Sequence, residues 1–168
     1  MSALKPLGVA TMVTLLCVGC SHGLSPHVSG RLRDAERFHG HLGPYVLIGQ
    51  RIGECAMRAL SAERYFGVEV IVACSGKPPQ SCLVDGLQVS TGATYGKRNI
   101  TIVEAPEIKV TVTDKKTNRK LGFTLADRAR TTIAQMGKDH DGVDRTARLM
   151  SSWPDGDLFT IVSEAGSQ

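Results

Sequence analysis

Residues 44–62 constrain the fold more than any other stretch of this chain. Their charged and amide members, Gln50, Arg51, Glu54 and Arg58, fall on one stripe at helical spacing, and the rest is apolar. Pro44 suits the first helical turn, where a missing N–H costs nothing. A helix apolar on most of its circumference must be enclosed, and Gly49 and Gly53, one turn apart, let another backbone come close to it. A chain of 168 residues is a single domain with limited means of enclosure. The expectation is therefore a homodimer in which a two-fold partner covers part of this helix.

The remaining pattern alternates short helices with strands. A helix is expected over 32–38, with Ser29 or Gly30 before it, and another over 82–90. Strands are expected over 68–73, 99–104, 108–113 and 121–125, the last two joined as a hairpin through the turn-rich residues 114–119. Helices over 126–137 and 144–151 follow, and Trp153-Pro154-Asp155-Gly156 breaks the chain before a strand over 158–162. This order predicts an α+β domain over 31–168, with a mixed or antiparallel sheet packed against helices. With 42% hydrophobic and 21% charged residues the domain can bury a core, which excludes a disordered tail or a multi-span membrane protein. A formal charge of +4 and 5% aromatics give neither the basic patch nor the stacking surface of a nucleic-acid partner.

The N-terminus reads differently. Residues 7–20 form an uncharged apolar run that is too short to span a bilayer, after a single Lys5. It ends in Leu16-Cys17-Val18-Gly19-Cys20-Ser21, which resembles a bacterial lipoprotein box with Cys20 as the lipidated residue. Residues 1–20 are thus expected to be a signal peptide or lipoprotein leader, with 21–30 as a polar linker. The protein would then be membrane-anchored or periplasmic, touching the membrane only through its lipid. The alternative is a misassigned start upstream of a cytoplasmic protein beginning near Arg31. Three cysteines would remain: Cys55 as core filler, and Cys74 and Cys82, between which a disulfide is left open.

Three motifs carry chemistry. In Phe38-His39-Gly40-His41-Leu42-Gly43-Pro44, two imidazoles flank a glycine beside a helix N-terminus, whose partial positive charge disfavours imidazolium. In Cys82-Leu83-Val84-Asp85, a thiol and a carboxylate three residues apart share a helical face. His39, His41 and Cys82 together suit a borderline divalent metal such as zinc, with an open position left. The loop from Thr91 to Lys97 offers Thr91, Gly92, Thr94, Gly96 and Lys97 as an anion cradle, although its glycine spacing and following strand are not those of a P-loop. A fourth stretch, 138–144, lacks the ligands of a calcium loop and reads as a solvated turn between helices.

Taken in order, FHGHLGPYVLIGQRIG at 38–53 and CLVDGLQVSTGATYGKRNI at 82–100 resemble the FmdE family, named for a component of formylmethanofuran dehydrogenase, over roughly residues 32–137. The resemblance implies an α+β core, commonly dimeric. It also implies one cleft lined by His39, His41, Cys82, Asp85 and the Thr91, Gly92, Thr94, Gly96 and Lys97 loop. Many members carry cysteines where this chain has Gly43 and Ala93, and longer ones add a C-terminal zinc finger for which no cysteine follows Cys82 here. Three functions are carried forward. One is a metal-binding accessory or binding protein with His39, His41 and Cys82 as ligands. Another is a small enzyme with Cys82 as nucleophile, His39 or His41 as base, Asp85 beside them and a small anionic ligand on the loop. The last is a docking component for a membrane-associated oxidoreductase partner.

Overall fold

A computed structural model describes residues 26–162. The leader and its cysteines at 17 and 20 lie outside the described residues, and among the described residues no helix is long and apolar enough to cross a membrane. Eleven elements follow in order: α1 (Pro26–His39), α2 (Pro44–Leu60), β1 (Val68–Cys74), α3 (Leu83–Thr91), β2 (Ile100–Glu104), β3 (Lys109–Asp114), β4 (Lys120–Leu125), α4 (Asp127–Gln135), α5 (His140–Ser151), α6 (Asp155–Leu158) and β5 (Phe159–Val162). The strands form one mixed sheet in the order β2-β1-β3-β4-β5. β1 and β2 run parallel because α3 crosses between them, and every other pairing is antiparallel. The expected α+β class and mixed sheet are what the chain builds.

α2 enters at Gly43, with Pro44 in the first turn, and leaves through Ser61 in the left-handed region. Its polar stripe is itself largely enclosed. Gln50 and Glu54 are buried and hydrogen bonded to each other. Arg51 reaches the opposite way, bonding Asp155 at 2.8 Å and the carbonyls of Ser151 and Trp153, which ties the C-terminal helices to α2. The close backbone approach predicted from Gly49 and Gly53 is made by α3 of the same chain. A Cβ on Gly49 would lie 2.0 Å from the Leu83 carbonyl oxygen, and one on Gly86 of α3 would lie 2.1 Å from that of Val46. The enclosure assigned to a partner chain is thus supplied internally, by α3 on one side and the sheet on another. Burial of α2 therefore gives no argument for a dimer.

Val68, Val70, Val72 and Cys74 of β1 alternate inward onto the helices, and Phe123 meets Phe159 edge to face at 5.6 Å. The hairpin between β3 and β4 closes on Asp114, whose carboxylate accepts from the Lys116 and Thr117 amides and the Thr117 hydroxyl. Three boundaries differ from the expectation, one of them at Asp155–Leu158, where the expected break and strand start are the short helix α6. α1 begins at Pro26, so residues 26–30, read as linker from their composition, are helical. α5 begins at His140 rather than near Asp144, because Asp139 caps it by accepting from the Gly142 amide. The stretch 138–144 is therefore a helix start and not a loop between helices.

Candidate functional site

Three helix ends meet at one cavity. α1 delivers His39 from its last turn, and Gly40, at φ 95°, turns the chain so that His41 follows on the same side. α2 then starts at Pro44 and Tyr45, and the turn before α3 supplies Cys82. His39, His41, Gly43, Pro44, Tyr45 and Cys82 line a cavity of about 200 Å³, closed by Pro78, Pro79, Met136 and Val143. Its walls are mostly apolar and it opens to solvent on one side, with the half-buried His39, His41 and Cys82 supplying polar atoms to it.

Asp85, in the first turn of α3, holds the first histidine. Its Oδ2 accepts from His39 Nδ1 at 2.6 Å, with the histidine side chain 12% exposed and the carboxylate 33%. Fixing Nδ1 in this way orients the ring and leaves Nε2 as the atom available for chemistry. The rings of His39 and His41 lie 4.7 Å apart, and His140 of α5 stands 5.7 Å beyond His41. Burial, and then charge on His39 and His140, pushes the His41 pKa below the usual imidazole value, against a weaker opposing pull from Asp144. His41 is therefore a neutral ring at neutral pH. Burial, reinforced by the Asp85 carboxylate, pushes the Cys82 thiol above its usual pKa, and burial with Cys82 nearby does the same to the Tyr45 phenol. All three side chains are in their uncharged forms at neutral pH.

His39, His41, Cys82 and Asp85 thus come together as the sequence suggests. Even so, among the described residues no group of three His, Cys, Asp or Glu side chains is arranged to hold a metal ion. Two imidazoles are preset and the thiol stands in the same cavity without completing a set. Cys55, Cys74 and Cys82 are all free thiols, so the disulfide left open between Cys74 and Cys82 is not formed.

The Thr91–Lys97 loop lies elsewhere. It leaves the other end of α3, and none of its residues lines the His/Cys cavity. The side chains of Thr91, Thr94 and Lys97 bond to one another, to the loop backbone and to α3. The Thr91 hydroxyl donates to the Leu87 carbonyl and accepts from the Ala93 amide. Thr94 accepts from both the amide and the ammonium of Lys97. Gly92 takes φ 75° against the Tyr65 ring, and Asn99 binds the loop to the Tyr65 and Val68 carbonyls and the Thr94 amide. Within one chain, the single cleft implied by the resemblance divides into a cavity and a separate, self-bonded loop.

Sequence reasoning missed Tyr45, Met136 and His140. Tyr45 sits beside the motif and could have been read with it. His140 had no signal beyond the Asp139 cap that moves the helix start to it. Gly43 and Ala93, at the two family cysteine positions, also separate. A Cβ on Gly43 would stand 3.6 Å from His41 Nε2, whereas Ala93 is fully buried at the far end of α3.

Comparisons with known proteins agree with this architecture. Residues 38–160 match the family FmdE, described as "Molybdenum formylmethanofuran dehydrogenase operon". A "Probable S-adenosyl-L-methionine-binding protein" of Archaeoglobus fulgidus is 33% identical over 88 residues, 49% of this chain, and the chain spans only 23% of that relative's length. An FmdE-like protein of the tungsten formylmethanofuran dehydrogenase type, from Syntrophus aciditrophicus, shares the fold with a TM-score of 0.55 at 18% identity, over 83% of this chain and 73% of the other.

Proposed function

The chain belongs to the FmdE family, and from that premise we propose that it is an accessory binding protein whose His39, His41 and Cys82 cavity takes up a borderline divalent metal, zinc first among them. One observation carries this reading: the Asp85 carboxylate holds His39 by Nδ1 beside a second, neutral imidazole. That is the arrangement in which a carboxylate orients a ligating histidine. His39 and His41 would hold the ion, and Cys82 would join on losing its proton, so affinity rises with pH. With only two donors preset, the affinity falls well short of a four-ligand structural zinc site. The bound metal would supply a Lewis-acidic centre with open positions.

A thiol-nucleophile enzyme is the weaker reading, because burial and Asp85 both disfavour the Cys82 thiolate that it needs. A docking component for an oxidoreductase draws support from the family's description alone. A small organic ligand is favoured by a different observation, the apolar walls of Met136, Val143, Pro78 and Pro79. The name of the Archaeoglobus relative makes S-adenosyl-L-methionine the probe for it. An anchor at Cys20 would share no residue with this cavity, so membrane attachment and binding would be separable.

Zinc and cobalt titration of the purified chain, monitored by competition with a chromophoric chelator, tests the metal reading. Binding by the wild type, its loss in His39→Ala and its increase in Gly43→Cys, where a thiol would enter beside His41 Nε2, are the expected results. An unbound wild type whose Gly43→Cys variant is equally inert overturns it. Binding of S-adenosyl-L-methionine but not zinc replaces it with the organic-ligand reading.

A further inference from the structure

We propose that the hollow outside the carboxyl ends of β1 and β2 is a binding site for a free amino acid, held by its ammonium and its carboxylate over an apolar floor. β1 and β2 are the parallel pair of the sheet, and the chain leaves them on the same side, at Cys74 and Glu104. The segments that follow these strands, with α4 and the start of α2, enclose about 460 Å³. Ligands of open sheets with parallel strands bind beyond the carboxyl ends of those strands, in pockets of roughly 300–1,000 Å³. The hollow adjoins the His/Cys cavity without being part of it. Tyr45 lines both, whereas Pro79 and Met136 belong to the cavity, and Gln80 and Ile133 to the hollow.

The floor is apolar, with Ile108, Leu125 and Ile133 buried in it beside Pro106 and the exposed Ala134. Two opposite charges stand on the rim. Glu107 is exposed and has no ion-pair or hydrogen-bond partner among the described residues. Arg130 has Asp127, three residues away on the surface of α4, with the Asp127 side chain 94% exposed. Such a pair is worth little and leaves most of the guanidinium donors unused. Two neutral donors complete the lining. The Tyr45 phenol, in a residue only 9% exposed, has no hydrogen-bond partner among the described residues. A polar group so far buried is costly until something engages it. Gln80 spends its carbonyl oxygen on the Ser75 amide, which leaves its NH2 to donate.

Charge selects the occupant. A simple anion would meet Glu107 as well as Arg130, a simple cation would meet the reverse, and an uncharged apolar body would engage neither. An α-amino acid carries both charges on one carbon and a side chain for the floor. Its carboxylate answers Arg130, with the Gln80 amide and the Tyr45 hydroxyl as further donors, and its ammonium answers Glu107. Either end of a peptide offers only one of the two charges. None of the atoms used belongs to His39, His41 or Cys82, so this site does not rest on the metal reading.

Calorimetric titration of the full chain with L-phenylalanine, with and without zinc, tests the proposal. Binding is expected in both conditions. N-acetyl-L-phenylalanine and L-phenylalaninamide each lack one charge and mimic the two ends of a peptide, and each should bind about fivefold more weakly. Glu107→Gln should weaken L-phenylalanine about fivefold and leave the N-acetyl compound unchanged, because both remove the same pair; Arg130→Gln should stand in that relation to the amide. Tyr45→Phe keeps the ring and should weaken binding about fivefold through the lost hydroxyl. Ala134→Trp, at an exposed position, should fill the hollow and abolish binding at an unchanged unfolding midpoint. A wild type that does not bind L-phenylalanine overturns the proposal, as do charge variants whose effects do not follow the missing charge. Undiminished binding of the N-acetyl compound or of the amide overturns it in favour of a peptide end. Binding that requires zinc and is lost in His39→Ala but not in Ala134→Trp overturns it by moving the ligand to the His/Cys cavity.

Discussion

The two ends of α3 carry the two motifs that promise chemistry, and the fold treats them in opposite ways. Nine residues at about 1.5 Å each set the ends roughly 13 Å apart. At the first end, Cys82 lines a cavity with His39 and His41, and Asp85 holds His39 by Nδ1 so that its Nε2 is left for something else to engage. At the second, Thr91, Thr94 and Lys97 bond one another and the adjacent backbone. The same residue types that suggest anion binding are also good loop-builders, and here the loop consumes them. Polar side chains signal a ligand site only where the chain leaves their hydrogen bonds unspent.

The largest effect should come from the helix between the two ends. Gly86→Ala drives a Cβ into the Val46 carbonyl oxygen and the Gln50 amide, neither of which can move aside. The gain in helix propensity, about 1 kcal/mol, is outweighed, and a net loss of about 3 kcal/mol in urea unfolding is expected. Wild-type stability in this variant would mean that the α2–α3 crossing is looser than described, and that the two ends are not held apart by it.

Asn99→Ala should act at the second end alone. It strips hydrogen bonds from the Tyr65 and Val68 carbonyls and the Thr94 amide, which costs about 2 kcal/mol. Zinc affinity measured on the same variant should not change. A parallel fall in zinc binding would show that loop and cavity work together after all.

Asp85→Asn isolates the first end. Replacing the carboxylate on His39 should weaken zinc about tenfold to a hundredfold, with little change in the unfolding midpoint. The same variant should react faster with iodoacetamide at Cys82, because removing the Asp85 charge lowers the thiol pKa. In the wild type that reaction should accelerate only above the pH where an ordinary thiol ionises. Peptide mapping separates Cys82 from the buried Cys55 and Cys74, and rapid alkylation of the wild type at neutral pH would revive the nucleophile reading.

Lys97→Ala should have the smallest effect. Its ammonium donates to Thr94 and lies 5.7 Å from the Tyr65 ring centre, so about 0.5 kcal/mol is at stake. Calorimetry with inorganic phosphate should show no binding to lose. Phosphate binding that vanishes with Lys97 would restore the anion cradle.

Much of this molecule is legible in one dimension. Binary pattern and punctuation place α2, β1, α3 and the β3–β4 hairpin to within a residue or two, because apolar periodicity, Pro44 and the turn residues act through neighbours in the chain. That His39 and Asp85 share a cleft is legible only through the family resemblance, and the bond between them, across 46 residues of chain, is decided by packing. Three further matters depend on residues far apart in sequence. Only packing shows that Gly49 and Gly86 face each other, so that α2 is enclosed by its own chain. Only packing brings the start of α5, and with it the exposed His140, beside His41, and only the crossover through α3 sends Thr91–Lys97 away from the cavity. Local pattern decides which elements exist, because backbone preferences are set within a few residues. Which side chains share a space is decided when distant elements compete for the same buried surface, and no short window of sequence contains that competition.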